Sequence, residues 1–334
     1  MTQQSPEPLT DPALDPARAP SLAGVERAAA KVAALLPPTP LLPLDIDGVT
    51  VWCKAECLQP VGAFKIRGAW HRLSDLTAEQ AAAGVVGVSS GNHAQGVAWA
   101  AKRLGIRATI VMPGNAPAMK LAATRALGAE VVLYDRVTES RDAVAAKLLA
   151  ERGGTLVHAY GDPWIIEGQG TAGLEAEAQL RARGFVGFDK VVACCGGGGL
   201  TAGLALALPD AEIVAVEPEG WDDVTRSLAA GEIMSVEDMA HPTECDALQT
   251  PETWPINFAV LQARGVRGAV VTREEVRHAM RVAFEKLHLV VEPGGAAALA
   301  ALLAGKVAPG AATLVTLSGG NVDPQKYAEI LAGY

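Results

Sequence analysis

The stretch Val61-Gly62-Ala63-Phe64-Lys65-Ile66-Arg67-Gly68 decides how the rest of the chain is interpreted. It places Lys65 between an aromatic and a branched aliphatic residue, with a glycine near each end. An amine among apolar neighbours loses the solvation of its charge, so its pKa falls and it becomes nucleophilic. Such an amine forms a Schiff base with a carbonyl, usually the aldehyde of pyridoxal phosphate. A lysine after a phenylalanine more often begins a helix with its ammonium group in water. Lys65 alone is therefore weak evidence, and other parts of a cofactor site are needed.

Length and composition restrict the class of protein. A chain of 334 residues, half of them apolar, predicts one large domain or two interleaved domains. The net charge is −9, and no basic patch with interleaved aromatics occurs, so nucleic acid is not an expected partner. The apolar runs of the sequence are too short to span a membrane. Residues 1–20 contain five prolines and lack the pattern of a signal peptide, which predicts a disordered N-terminal tail.

The cysteines indicate a reducing compartment. The chain has five of them, an odd number without a disulfide framework or the spacing of a zinc site. We interpret them as buried free thiols, which are typical of a cytoplasmic protein.

Strands and helices alternate along most of the chain. This rhythm predicts an α/β fold with parallel sheets covered by helices on both faces. Ligands of such sheets bind beyond the C-terminal ends of the strands. The predicted strands cover residues 49–54, 84–89, 108–112, 131–134, 155–160, 190–195, 212–217 and 313–318. The predicted helices cover residues 21–36, 67–76, 93–104, 116–127, 138–152, 171–183, 200–208, 273–287 and 295–304, with a last one after Pro324 and an irregular region over 221–268.

A run of glycines follows one predicted strand and opens a helix, in Cys195-Gly196-Gly197-Gly198-Gly199-Leu200-Thr201. Converging backbone N–H groups at a helix N-terminus suit a phosphate. The lysine of a P-loop is missing, so ATP hydrolysis is not expected. The run also satisfies the dinucleotide fingerprint over residues 197–202, and Glu217 lies where a ribose-binding acid would stand. These residues alone leave a dinucleotide-binding oxidoreductase or a nucleotide sensor open.

Two further polar turns end predicted strands. Ser89-Ser90-Gly91-Asn92-His93 joins a strand to a helix, and its hydroxyl and N–H groups suit a carboxylate or simply cap the helix. Leu317-Ser318-Gly319-Gly320-Asn321 ends the last predicted strand in the same way.

Together these parts resemble a known family. Residues 54–69, which contain the lysine stretch, resemble the cofactor-lysine motif of the serine/threonine dehydratases, which are fold-type II pyridoxal phosphate enzymes related to serine racemase. The resemblance extends over residues 21–330. Its other motifs follow in the family's order, namely 89–95, Gly168-Gln169-Gly170-Thr171, 196–200, Glu292-Pro293-Gly294-Gly295 and Ser318-Gly319-Gly320-Asn321.

The resemblance implies a role for each part of the site. Lys65 would bind the cofactor and then transfer the α-proton, and Ser90 would be a second base on the opposite face. The substrate carboxylate would be held by Ser89, Asn92 and His93. The cofactor would be held by Phe64 at its ring, by Asn92 at the ring hydroxyl, by Ser318 at the pyridine nitrogen, and at the phosphate by Gly196, Gly197, Gly198, Gly199 and Leu200.

The residue that faces the pyridine nitrogen influences the chemistry. The hydroxyl of Ser318 donates to an unprotonated nitrogen, whereas a carboxylate there would hold the nitrogen protonated. An unprotonated ring is a weaker electron sink. We therefore expect loss of a β-hydroxyl to compete well with transamination.

The same resemblance implies a cation site. Its ligands would be the carboxylates of Glu217 and Asp223 and the backbone carbonyl of Trp221, and oxygen ligands of this kind suit Mg²⁺ or Ca²⁺. Glu217 thus has three interpretations: a cation ligand, which we favour, a ribose-binding acid, or a surface residue at a strand end.

The resemblance also implies the architecture and the reaction. A large domain over 21–77 and 163–330 and a small inserted αβα domain over 85–161 would hold the cofactor in the cleft between them. The expected reaction is β-elimination of water from L-threonine or L-serine, which gives a 2-oxo acid and ammonia. The alternatives are a serine racemase, a dehydratase of another β-hydroxy amino acid such as 3-hydroxyaspartate, and, more distantly, the dinucleotide-binding oxidoreductase. The expected partner besides the amino acid is a second copy of the chain in a homodimer.

Overall fold

The computed structural model describes residues 18–89, 91–116, 118–135 and 138–333. Ser90 and most of the predicted N-terminal tail lie outside these residues. The helices in the described part are α1 Leu22–Ala33, α2 Lys65–Leu73, α3 Ala78–Ala83, α4 Asn92–Leu104, α5 Ala118–Ala126, α6 Arg141–Arg152, α7 Pro163–Arg181, α8 Gly199–Ala207, α9 Asp223–Ala230, α10 Pro255–Ala263, α11 Arg273–Leu287, α12 Pro293–Leu303 and α13 Pro324–Leu331. The strands are β1 Leu41–Ile46, β2 Val49–Ala55, β3 Val85–Val88, β4 Ala108–Pro113, β5 Glu130–Tyr134, β6 Thr155–Val157, β7 Lys190–Cys194, β8 Glu212–Pro218, β9 Arg267–Val271 and β10 Thr313–Leu317.

The strands form two sheets. The larger has the order β1-β2-β10-β7-β8-β9, with β1 antiparallel to β2 and every other pair parallel. The smaller has the order β5-β4-β3-β6 and is parallel throughout. The predicted α/β fold with parallel sheets is confirmed. The small sheet is built from strands between residues 85 and 157, which supports the predicted division into two domains, and that division stays a prediction.

The central strands of the large sheet are buried along their length. β10 is fully buried, and β7 and β8 are buried except at their first residues. Strands covered by helices on both faces have near-continuous apolar sequences. That is why 190–194 and 313–317 could be recognised as strands from their sequence.

The structure differs from the predictions in several elements. Helix α7 begins at Pro163, two turns before the predicted start at residue 171, because Asp162 caps its first turn through backbone N–H groups of Trp164 and Ile165. The region 221–268 was predicted as irregular, but it contains helices α9 and α10, and strand β9 begins near its end. Strand β1 and helix α3 were not predicted either. Helix α3 buries none of its residues, so its sequence carries no clear apolar stripe.

Three helices meet backbone to backbone beneath the lysine stretch. A Cβ atom on Gly168 of α7 would lie 2.5 Å from the Cα atom of Gly68 in α2. One on Gly203 of α8 would lie 2.3 Å from the carbonyl oxygen of Ile166 in α7. Only glycine permits such close approach, so α7 sets the separation between α2, which begins at Lys65, and α8.

A buried ionic cluster holds α2 against the large sheet. The Nε and Nη2 atoms of Arg67 donate to the two carboxylate oxygens of Glu56, each over 2.7 Å, and Arg67 also pairs with Glu175. Burial alone would raise the pKa of Glu56, but the Arg67 guanidinium outweighs it and holds that pKa at about 2. Lys54 also donates to Glu175, over 2.6 Å. These groups anchor the first turn of α2.

No helix in the described part of the chain is both long and apolar enough to cross a lipid bilayer. The five cysteines are all buried and free of disulfides, as predicted.

Candidate active site

A cleft lies beyond the C-terminal ends of β3, β7 and β10, where parallel sheets bind their ligands. It encloses about 1010 Å³ including its open mouth. The structure brings to this cleft the predicted site residues Phe64, Lys65, Ser89, Asn92, His93, Gly196, Gly197, Gly198, Gly199, Leu200 and Ser318. The predicted second base, Ser90, lies outside the described residues.

Lys65 is the first residue of α2 and its side chain is directed into the cleft. Its Nζ atom donates to the carbonyl oxygen of Ala159 over 2.8 Å and lies 5.1 Å from the centre of the Phe64 ring. Burial lowers the pKa of Lys65 to about 8. A substantial fraction of this amine is therefore neutral near physiological pH.

The glycine run forms a tight cradle at the start of α8. Gly198 has a φ of 89°, in the left-handed region that favours glycine, and α8 begins at the next residue. A Cβ atom on Gly197 would lie 2.3 Å from the ring of Tyr160. The cradle therefore combines a helix N-terminus with bare backbone, which suits a phosphate group.

The cradle, the amine and the hydroxyl of Ser318 fit pyridoxal phosphate. The cofactor needs a covalent partner for its aldehyde, an anion site for its phosphate and a group beside its ring nitrogen. Lys65, the loop at residues 196–200 and Ser318 line one cleft and supply these three features.

The turn before α4 contains the groups predicted for the substrate carboxylate. The Oγ atom of Ser89 accepts a hydrogen bond from the Gly91 N–H over 3.1 Å, which leaves the hydroxyl proton available. The Nε2 atom of His93 lies 2.8 Å from the carbonyl oxygen of Val157. A carbonyl only accepts, so Nε2 carries the proton and Nδ1 is left as an acceptor.

His93 is also kept neutral. Burial and the nearby Lys65 ammonium lower the pKa of His93 to about 3. A neutral imidazole with only an acceptor free cannot donate to a carboxylate. The predicted role of His93 therefore depends on its backbone N–H in the first turn of α4.

Asn92 belongs to a buried chain of hydrogen bonds. Its Nδ2 atom donates to Oε1 of Glu292 over 2.5 Å, and its Oδ1 accepts from Nδ2 of Asn321 over 2.8 Å. Burial raises the pKa of Glu292 to about 7, and the negative charge of Asp246 adds to this shift. Glu292 lies in one of the motifs that carry the family resemblance, but no role for it was expected from that resemblance.

Several residues of the cleft were not expected from the sequence. Lys120 of α5 forms an ion pair with Asp246, and both line the cleft. Arg141, the first residue of α6, also lines it, and its Nε atom lies 3.7 Å from Asp142. The available signal for Arg141 was its place directly after Ser140, which caps α6 on the strand-end side of the small sheet.

The predicted cation ligands lie outside the cleft lining. Glu217 at the end of β8 is fully buried and accepts hydrogen bonds from the Val224 N–H over 3.0 Å and from the N–H and hydroxyl of Thr225 over 2.7 and 2.6 Å. Its interpretation as a surface residue is therefore wrong. Because it does not line the cleft, it is also badly placed to bind the ribose of a nucleotide on the glycine loop.

Asp223 is the more suitable ligand of the pair. Both of its carboxylate oxygens are buried and lack a hydrogen-bond partner of ordinary geometry among the described residues. Burial raises the pKa of Asp223 to about 7. Burial also raises the pKa of Glu217, and the nearby Asp223 carboxylate adds to that shift. Trp221 is buried between them in the chain. The described residues contain no cluster of three or more His, Cys, Asp or Glu side chains arranged for a metal, so the cation site stays a prediction that depends on backbone ligands.

Comparison with known proteins identifies the family. The model of a family described as "Pyridoxal-phosphate dependent enzyme" matches residues 32–319. An L-threo-3-hydroxyaspartate ammonia-lyase from Pseudomonas sp is 41% identical over 296 residues, covering 87% of this chain and 91% of the relative.

Solved structures agree with this match. A maize serine racemase superposes with a TM-score of 0.87 at 34% identity, covering 95% of this chain and 98% of the other. A threonine deaminase from T.th. superposes with a TM-score of 0.84 at 41% identity, covering 91% and 99%. The dinucleotide-binding alternative finds no support in these matches. The chain therefore belongs to the fold-type II family of pyridoxal-phosphate-dependent enzymes, in which its homologues are ammonia-lyases and serine racemases.

Proposed function

We propose that this enzyme eliminates water from a β-hydroxy amino acid with an acidic side chain, of which L-threo-3-hydroxyaspartate is the model, and releases ammonia and a 2-oxo acid. The observation that supports this most directly is the guanidinium of Arg141 in the lining of the cleft. The name of the Pseudomonas relative agrees with this substrate class.

The charges of the cleft explain why Arg141 is the relevant group. Among the described residues, the lysine and arginine side chains in its lining are those of Lys65, Lys120 and Arg141. Lys65 has its role at the cofactor, and the charge of Lys120 is balanced by Asp246. Arg141 lies 3.7 Å from the exposed carboxylate of Asp142, which is too long for a hydrogen bond, so its N–H donors can still bind a second carboxylate on the substrate through two parallel hydrogen bonds.

Each group of the cleft has a part in the proposed reaction. When bound, pyridoxal phosphate supplies the electron sink that stabilises negative charge at the α-carbon of the substrate. The N-terminal turn of α4 and the Ser89 hydroxyl orient the α-carboxylate. Lys65 removes the α-proton at Nζ, and its pKa of about 8 suits a base that works near neutral pH. The loop at residues 196–200 holds the phosphate. The role of Ser90 as a second base stays a prediction.

The second candidate substrate is L-threonine or L-serine, as predicted from the sequence. Two observations favour it: the apolar side chains of Val88 and Ala247 in the cleft lining, and the 41% identity with the threonine deaminase. In this case Arg141 would face solvent rather than substrate, and its removal would not discriminate between substrates.

The test compares substrates and variants of the holoenzyme. Release of 2-oxo acid is measured with L-threo-3-hydroxyaspartate, L-threonine and L-serine, and formation of D-serine is followed in parallel. We expect Arg141→Gln to lower kcat/KM for hydroxyaspartate about 10- to 100-fold, the effect of losing a hydrogen-bonded charge pair, with at most a small change for serine. Arg152→Gln, on the same helix but exposed and paired with Glu130, is the matched control.

Three outcomes would contradict the proposal. If the wild type prefers threonine and Arg141→Gln acts equally on all substrates, the acidic substrate class is wrong. If D-serine forms faster than any 2-oxo acid, the enzyme is a racemase. If Lys65→Ala retains substantial turnover, the assignment of the base is wrong.

A further inference from the structure

We propose that Cys194 fixes the direction of the Ser318 hydroxyl, so that this hydroxyl donates its proton into the cleft and meets an unprotonated pyridine nitrogen. This makes Cys194 a positioning residue, since it acts through Ser318. The inference rests on the proposed elimination and on the predicted place of Ser318 beside the cofactor ring.

Cys194 and Ser318 lie side by side at the ends of adjacent parallel strands. Cys194 is the last residue of β7, and Ser318 directly follows β10, with which β7 pairs. The Sγ atom of Cys194 lies 3.0 Å from the Oγ atom of Ser318, within the range of a thiol hydrogen bond. Both residues are buried, and both line the cleft.

A third residue gives this contact its direction. The backbone N–H of Cys194 donates to Oγ1 of Thr316 over 3.3 Å. The Oγ1 atom of Thr316 lies 4.0 Å from the Cys194 sulfur, at the outer limit for a hydrogen bond from the Thr316 hydroxyl to that sulfur. The Ser318 oxygen is the nearer acceptor, at 3.0 against 4.0 Å from the sulfur, and Thr316 Oγ1 already accepts from the Cys194 N–H, so the thiol donates its proton to Ser318.

The thiol stays a donor over the pH range in which the enzyme would work. Burial raises the pKa of Cys194, and the Ser318 and Thr316 hydroxyls oppose the shift only because they could turn and donate to a thiolate. The ionisable groups that influence it are Glu292 and Lys65, and neither donates a hydrogen bond to the sulfur within the described residues. A neutral S–H group is therefore available to Ser318.

Direction matters because a serine hydroxyl can act in two ways. It can donate to a bare pyridine nitrogen or accept from a protonated one, and serine alone does not select between them. When Cys194 donates to the Ser318 oxygen, the serine proton is the one free to face the ring. The ring nitrogen then stays unprotonated, which disfavours transamination relative to elimination.

The test reads the ring nitrogen directly. Holoenzyme is prepared with cofactor labelled with ¹⁵N in the ring, and the nitrogen chemical shift is recorded at neutral pH. We expect the wild type to show an unprotonated nitrogen, Cys194→Ala to show a larger protonated fraction, and Cys194→Ser, which keeps a donor, to resemble the wild type. Cys53→Ala is the matched control, because Cys53 is an equally buried thiol in β2 that does not line the cleft.

A kinetic readout accompanies the spectrum. In Cys194→Ala the ratio of transamination to elimination should rise about fivefold, the change that corresponds to one hydrogen bond of ordinary net strength. Thr316→Val, which keeps the shape but removes the donor to the sulfur, should shift the nitrogen signal in the same direction and covers the case in which Cys194→Ala folds poorly.

The possible failures are distinguishable. A protonated nitrogen in the wild type, or an unchanged nitrogen signal in both Cys194→Ala and Thr316→Val, would overturn the inference. If Ser318→Ala also leaves the signal unchanged, the predicted pairing of Ser318 with the nitrogen is itself wrong. Wild-type 2-oxo acid release tests the proposed function independently of all these spectra.

Discussion

Replacing Glu292 by glutamine tests whether a carboxylic acid is kept protonated behind the site. The side chain is buried, carries no charge when protonated, and accepts a hydrogen bond from Asn92 at Oε1. Its Oε2 atom has no hydrogen-bond partner among the described residues. Glutamine has nearly the same shape and keeps the acceptor at Oε1, so the substitution removes the titration without opening a cavity.

The direction of the effect follows from the two pKa values. Glu292 has a pKa of about 7 in the folded protein and 4.5 as the ordinary value. Below the ordinary value the group is protonated in both states, and its contribution to stability is fully present. As the pH rises towards 7, only the unfolded chain releases the proton, so the contribution is lost by the time the pH has passed the folded pKa. Wild-type stability therefore falls, relative to the variant, as the pH increases.

The magnitude can be worked from the same shift. Each pKa unit is worth about 1.4 kcal/mol, so the rise amounts to roughly 3 kcal/mol in total. Most of it, about 2.5 kcal/mol, falls between pH 5 and pH 8. The assay is reversible urea unfolding of the apoenzyme at four pH values across that range. Glu79→Gln, at an exposed position in α3, is the control and should show no such trend.

One result would refute the reasoning. If the difference in unfolding free energy between wild type and Glu292→Gln stays constant within about 0.5 kcal/mol from pH 5 to pH 8, the carboxyl group is ionised in the folded protein. Asn92 would then face a charged partner, and the account of this hydrogen-bond chain would need to change.

Three further predictions concern the cofactor and the cation. Gly197→Ala should weaken pyridoxal phosphate binding about tenfold or more, because the added methyl group would clash with the Tyr160 ring. Absorbance titration of the apoenzyme with the cofactor measures this affinity. An unchanged affinity would show that the cradle can widen. The rate at which the apoenzyme binds pyridoxal phosphate covalently should rise with pH up to about 8 and then level off, because only the neutral Lys65 amine reacts. A rate that is already constant from pH 6 would contradict this pKa. Mg²⁺ should raise the melting temperature more at pH 8 than at pH 6, because the Asp223 carboxyl group must lose its proton first, and Asp223→Asn should abolish the difference.

Much of the fold and the chemical centre could be predicted from the sequence. Buried parallel strands have apolar sequences that end abruptly, and their C-terminal ends meet at one edge of a sheet. The glycine run and Ser318 follow β7 and β10 directly. Knowing the alternation of strands and helices was therefore enough to expect them in one cleft with Lys65.

The other basic residues of the cleft lining could not be predicted in this way. Arg141 and Lys120 lie on helices that cover the small sheet. The sequence does not tell which face of such a helix points to the cleft, because that depends on tertiary packing. The early turns of α7 were missed for a similar reason. Gly168 and Gly170 disfavour a helix locally, and the close contacts with neighbouring helices override that preference. The direction of the His93 ring was equally hidden, because it depends on the distant carbonyl of Val157.

Helix α7 contacts α2 and α8 through glycine backbone. The distance between Lys65 and the glycine cradle is therefore set by backbone contacts and not by the size of side chains packed between the helices. Lys65 is the first residue of α2, and the glycine cradle leads into α8. The distance between these two helices is set by direct backbone contacts with α7 at Gly68, Gly168 and Gly203. A single methyl group added there would move reactive groups that it never touches. Variants at these glycines recovered from a screen for lost activity would thus look like active-site mutants, although none of the three glycines lines the cleft.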